Sequence, residues 1–162
     1  MATRKLRVIG DPVLNKVCKP VAKMTPRIET LIDDMFETMY QERGVGLAAP
    51  QVGILRRLCV VDVMDEEPLV LINPELLESS GEQTDEEGCL SVPGKCANVT
   101  RPYQIKVKFY DREMNEVIYE AEGLKARCIL HEMDHLDGIL YGDRADEPYR
   151  DLEEEDEEVY EE

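Results

Sequence analysis

Between residues 26 and 43 the apolar positions Ile28, Leu31, Ile32, Met35, Phe36, Met39 and Tyr40 recur at spacings of three and four. That spacing draws one apolar stripe and predicts an amphipathic helix with the stripe in the core. Thr25 offers an N-cap, Pro26 suits the first helical position and Gly44 stands just past the end. The period then changes. Leu58 to Val63 is a short apolar, β-branched run, and Leu69 to Ile72 is another, ending at Asn73-Pro74. Ile105, Val107 and Phe109 alternate with Lys106 and Lys108, Asp111 to Asn115 reads as a turn, and Val117, Tyr119 and Ala121 alternate again. This pattern predicts a hairpin. A second helix is predicted from Leu124 to Leu136, stopping at Gly138. Strands cluster between two helices without regular alternation, which favours an α+β fold of short, mostly antiparallel sheets over a doubly wound one.

A chain of 162 residues has the size of one domain and can bury a core without disulfides. The formal net charge of -17 disfavours a nucleic-acid surface, which needs clustered Lys and Arg, and equally disfavours docking on anionic lipid. The acid is concentrated at the end, where residues 146–162 hold eleven acidic side chains against Arg150 alone. The expected organisation is one domain over 1–145 and an acidic, disordered tail over 146–162. Five cysteines (Cys18, Cys59, Cys89, Cys96 and Cys128) form no C-x-x-C pair, which fits free thiols in a reducing compartment. There is no leader-like start and no run of about 18 apolar residues, so a cytoplasmic location is expected.

Chemistry enters with His131-Glu132-Met133-Asp134-His135, which contains both histidines of the chain. Four residues apart on a helix, the two imidazoles stand one turn apart on one face and can reach one cation. Glu132 lies beside the first of them, where it can act as a general base on a metal-activated water. Leu124, Cys128, His131 and His135 share a face that reads as buried, and two unpaired imidazoles there would be poorly solvated. A catalytic metal needs a third ligand and an open position. Cys128 is poorly placed, since Cys128 to His135 covers roughly 10.5 Å of helix rise. Another segment is sterically easier. Glu86-Glu87-Gly88-Cys89-Leu90-Ser91-Val92-Pro93-Gly94 puts Cys89 between a glycine and a Pro-Gly turn, where backbone can approach a site closely. The alternative for Cys89 is the fate expected of the other four cysteines, a small core residue.

Gly44-Val45-Gly46-Leu47-Ala48-Ala49-Pro50-Gln51-Val52-Gly53 follows the first helix. It lacks the spacing and the strand–helix setting of a phosphate loop. Its small residues would let backbone approach an extended ligand, and Gln51 offers two N–H donors and one acceptor. A flexible connector with a surface glutamine is the plainer alternative.

Taken together and in order, residues 44–51, 87–91 and 131–135 resemble the three motifs of the peptide deformylases, and the match covers residues 5 to 143. The resemblance implies a single catalytic domain that removes the formyl group from the N-terminal methionine of newly synthesised polypeptides. It implies Cys89, His131 and His135 as metal ligands and Glu132 as general acid/base. The Gln51 amide and the Leu90 N–H would hold the oxyanion, with Val45 and Gly46 lining the bound peptide. It further implies one divalent ion, usually iron(II), with zinc, nickel or cobalt able to replace it. N-formylmethionyl nascent peptides would be the partners of a monomer. Two features depart from the family pattern: Leu130 replaces a common glutamine, and the end is strongly acidic, so docking on the ribosome through a basic C-terminal helix is not carried over, which leaves at most a transient proximity to the ribosome. The short spacing of the first two motifs resembles the compact bacterial class. Two other readings compete. One is a metallopeptidase that shares only the H-E-x-x-H helix. The other is a non-catalytic metal-binding or thiol-sensing protein on the same fold.

Overall fold

The computed structural model describes residues 2–152. The first long element, α1 (Pro26–Gln41), starts where the caps predict: the Ile28 N–H donates to Thr25 Oγ1 at 3.2 Å and Pro26 takes the first helical position. Such a cap contributes about 1 kcal/mol. At its other end the left-handed residue is Arg43 (φ 60°), not Gly44. The Arg43 N–H donates to Tyr40 O and the Gly44 N–H to Met39 O, which satisfies the last carbonyls.

Strands β1 (Gly46–Ala48), β2 (Leu58–Val61) and β3 (Leu69–Ser80) follow. After them come β4 (Gln83–Cys89), β5 (Val92–Arg101), β6 (Gln104–Tyr110) and β7 (Glu116–Glu122). Then come α2 (Gly123–Leu136), the short α3 (Tyr141–Arg144) and β8 (Arg150–Asp151). A five-stranded antiparallel sheet runs β1-β2-β3-β6-β7, and a three-stranded antiparallel sheet runs β4-β5-β8. No helix is long and apolar enough to cross a membrane among the described residues.

The larger sheet lies between the two long helices. Leu58 and Val60 of β2 pack with Ile28, Leu31, Ile32, Met35 and Met39 of α1, whereas Cys59 and Val61 pack with Ala126, Cys128, Ile129 and Leu136 of α2. Both faces of β2 are buried, so its sequence is a continuous apolar run. Each fully buried Leu, Ile or Met contributes about 1.5–3 kcal/mol. Leu130 also sits in the core shared by α2 and the sheet. The turn after α2 passes through Gly138 (φ 76°), where a Cβ would lie 2.6 Å from the Asn15 backbone, so both conformation and space demand glycine.

Three expectations change. β3 does not end at Asn73-Pro74 but runs on to Ser80 through a bulge. Leu124 is not on the buried face, being 59% exposed. The acidic tail does not begin at 146, because the Asp146 N–H donates to Asn98 O and Arg150–Asp151 pair with Cys96 and Lys95 of β5. Residues 153–162, the rest of that expected tail, lie outside the described residues.

Candidate metal centre

The β4–β5 hairpin and α2 meet to form the site. Cys89 is the last residue of β4, Leu90 and Ser91 make the turn, and Val92 pairs back with Cys89. The helix α2 presents His131 and His135 to this hairpin. Donor atoms of Cys89, His131 and His135 all lie within 4.8 Å of one another, and Cys89 Sγ is 3.3 Å from His135 Nε2. Cys128 is not in this group and is buried, as are Cys18, Cys59 and Cys96.

A buried carboxylate fixes the first imidazole. His131 Nδ1 lies 2.9 Å from Glu87 Oε1, so the bond to the ionised carboxylate turns Nε2 towards Cys89 and His135. Glu87 is itself gripped by Arg101, with Nε at 2.5 Å and Nη2 at 2.9 Å, and by Arg127 Nη1. Burial would raise this carboxyl, but the hydrogen bonds from His131 and Arg101 outweigh it and hold Glu87 at about 2. Arg101 also reaches Asp134 at 3.0 Å, and Arg144 holds Asp134 at 2.6 Å. His135 is pushed well below its ordinary value by burial and by its neighbour His131, which keeps its imidazole neutral.

Glu132 is 5% exposed, and its Oε1 has no hydrogen-bond partner among the described residues. Burial pushes its carboxyl up to about 7, a value suited to giving and taking a proton near neutrality. Its Oε2 lies 2.5 Å from where a Cβ on Gly46 would be, so β1 can pass this close only because residue 46 is glycine. Gln51 is 1% exposed and therefore not a surface glutamine. Its Oε1 accepts the Ala48 N–H at 2.9 Å, and its Nε2 donates to Ser91 Oγ at 3.0 Å and towards Cys89 Sγ at 3.5 Å. The glycine-rich segment is thus ordered, as β1 and a 3-10 turn over Ala49–Val52.

A cavity of about 480 Å³ opens onto this constellation, lined by Val45, Gly46, Gln51, Cys89, Leu90 and Glu132 among others. His131 also lines it, whereas His135 lies deeper. All eight residues singled out from the sequence therefore converge on one place. The donor set of one cysteine sulfur and two imidazoles suits a borderline cation, and the cavity borders it at Cys89 and His131. Sequence reasoning missed Glu87 as a partner of His131, Arg101 and Arg127 behind it, Ser91 beneath Gln51, and Tyr141 against His131. Glu87 and Ser91 lie inside a recognised motif, but nothing in their spacing announces His131, 44 residues from Glu87, or Gln51, 40 residues from Ser91, as partners. Leu124 and Leu152 also line the cavity, so the chain's last described residue borders it.

The family model for polypeptide deformylase matches residues 3–151. A peptide deformylase of Agathobacter rectalis is 60% identical over 156 residues, covering 96% of this chain and 98% of that protein. The crystal structure of peptide deformylase from Thermotoga maritima superposes with a TM-score of 0.88 at 45% identity, covering 91% of this chain and all of that one. A peptide deformylase from Synechococcus elongatus, crystallised in complex with actinonin, superposes with a TM-score of 0.87 at 41% identity, covering 90% and 82% of the two chains.

Proposed function

This chain belongs to the peptide deformylase family, and from that premise we propose that Cys89, His131 and His135 hold its metal and that Glu132 moves the proton. The family fixes the activity: the protein is a metal-dependent hydrolase that removes the formyl group from the N-terminal methionine of newly synthesised polypeptides. The observation that carries the residue assignment is the convergence of the three donors beside a buried carboxylate with an unpartnered oxygen.

A divalent cation at this place supplies Lewis acidity that brings the pKa of a water from about 15.7 towards 7. Glu132 takes the proton released as the formyl carbon is attacked, and returns it to the leaving amine. The Gln51 Nε2 hydrogen that points towards Cys89, together with the Leu90 N–H, donates to the developing oxyanion. Gln51 can hold that orientation because Ser91 Oγ accepts from Nε2 as well and the Ala48 N–H donates to Oε1 at the other end of its amide. Gly46 and Val45 lie along the cavity, where an extended peptide would pass. Iron(II) is the proposed resident ion, with zinc, nickel or cobalt as substitutes. Residues up to 152 form the catalytic unit, and it acts as a cytoplasmic monomer on nascent chains.

The decisive test is one anaerobic preparation assayed for metal content and for hydrolysis of a formyl-methionyl peptide. Stoichiometric metal with deformylation, and no cleavage of an N-blocked internal peptide, is the expected result. Metal without deformylation would favour a sensor, and internal cleavage would favour a metallopeptidase. Cys89→Ala should lose metal and activity while Cys128→Ala keeps the metal. Glu132→Gln should keep the metal and lose turnover by roughly a hundred- to ten-thousandfold.

A further inference from the structure

The wall behind the three donors comes from a segment outside the recognised motifs. After α2 the chain turns at Gly138, and α3 lays Tyr141 against His131. The ring centroids are 5.7 Å apart and the planes differ by 26°, a stacked arrangement. Tyr141 is 1% exposed and among the largest fully buried side chains. Tyr149 packs against it at 5.0 Å, and Cys89, Val92, Ala97 and Val99 belong to the same cluster.

An imidazole has two side-chain torsions, and its second torsion is broad unless contacts restrict it. The bond to Glu87 fixes one ring atom at 2.9 Å but leaves the ring free to tilt about that contact. The neighbouring His135 ring meets His131 at 66°, so it offers no parallel face. A flat surface against the imidazole limits the remaining tilt, and Tyr141 supplies one. We propose that Tyr141 is a positioning residue for His131, its ring face setting the plane of the imidazole so that Nε2 stays aimed at the metal position. This rests on the reading of His131 as a ligand. The ring carries the role rather than the hydroxyl, because Tyr141 Oη has no hydrogen-bond partner among the described residues. Tyr149 backs the ring, and pairing of Arg150–Asp151 with β5 holds Tyr149 in the wall.

Cobalt(II) is the probe. Its absorption spectrum reports ligand geometry, and competition with a chelator gives its affinity. Tyr141→Phe keeps the ring and should retain the wild-type affinity and spectrum. Tyr141→Leu should weaken cobalt affinity roughly ten- to a hundredfold, the range for groups that orient metal ligands, and should alter the spectrum. Tyr141→Met is flexible enough to adapt to the space without offering a ring face and should behave like Tyr141→Leu, so it carries the test if the leucine variant does not fold. A purely structural Tyr141 would lower thermal stability in these variants and leave affinity and spectrum unmoved. A folded Tyr141→Met protein with wild-type affinity and spectrum overturns the proposal. His131→Ala tests the underlying assignment separately: wild-type cobalt binding in that variant would remove His131 as a ligand, whatever the Tyr141 variants do.

Discussion

At Gly46 the absence of a side chain makes room for the Glu132 carboxylate. The backbone there is an ordinary buried strand, so alanine can adopt it, and the Glu132 carboxylate must move instead. Gly46→Ala is expected to keep the fold and the metal and to lose about a hundredfold in kcat, the scale of an ångström of misplacement. Unchanged kcat would show that the carboxylate is not used where it stands. The same carboxylate has a measurable signature in the metal-free protein. Burial raises it from 4.5 to about 7, so between these values the folded chain holds a proton that the unfolded chain has released. Stability therefore falls as pH rises through this window, by about 3 kcal/mol for a shift of this size. Glutamine has no such proton. Urea midpoints of chelator-treated wild type and Glu132→Gln should coincide below pH 4.5 and separate above pH 7, with the variant more stable. Parallel midpoints across that range would mean that the carboxyl does not titrate as a buried group.

At the scale of elements, β3 shows how one side chain keeps a strand going past an apparent stop. Asn73 takes a left-handed conformation (φ 51°), and its amide stands in for a strand neighbour. Its Oδ1 accepts the Val21 N–H and its Nδ2 donates to Val21 O, both at 2.8 Å. Asn73→Ala loses two hydrogen bonds and the tolerance of asparagine for the left-handed region, so it should cost roughly 2–4 kcal/mol. Asn73→Gly should recover the conformational part alone. Equal loss in both, measured by denaturant unfolding, would mean the conformation costs nothing. Asn73-Pro74 read as a stop because local turn chemistry is visible in sequence while a partner 52 residues away is not. The same divide runs through the rest of the fold. The helix α1 and the β6–β7 hairpin were legible through the period of their apolar residues, and α2, buried on nearly every side from Lys125 to Glu132, was legible through the spacing of its two histidines and the glycine beyond its end. β4 was not. Its residues Asp85, Glu86 and Glu87 carry no apolar alternation, and Glu87 is buried only because Arg101 and Arg127 neutralise it. Residues 146–151 looked like the start of a charged tail because composition does not reveal that Arg150 and Asp151 find strand partners. Within the site, Cys89, Gln51 and the two histidines were legible through motif spacing. Tyr141 was not, because a lone aromatic residue past the helix carries no pattern.

Across the whole molecule, the donors come from parts of the chain far apart in sequence: Cys89 and His135 are separated by 46 residues. One donor ends a strand of the small sheet, and the other two sit on the helix packed against the large one. A cation between them therefore ties together elements that otherwise meet through packing and through the ion pairs of Glu87, Arg101 and Arg127. The separate apolar clusters on either side of β2 give the fold a core that does not include the metal position, so the stripped protein should remain folded. Metal should then act as a ligand of the native state alone, which at a hundred times its dissociation constant adds about 2.7 kcal/mol. For a domain of this size that corresponds to a rise of roughly 5–10 °C in Tm. Cys89→Ala should fold with the Tm of the stripped wild type and gain little on adding zinc or cobalt, whereas Cys128→Ala should gain as the wild type does. A full rise in Cys89→Ala would mean that the stabilising ion binds elsewhere. Unfolding of the wild type on chelation would mean that the metal, rather than the two-sided core around the large sheet, holds the small sheet to α2.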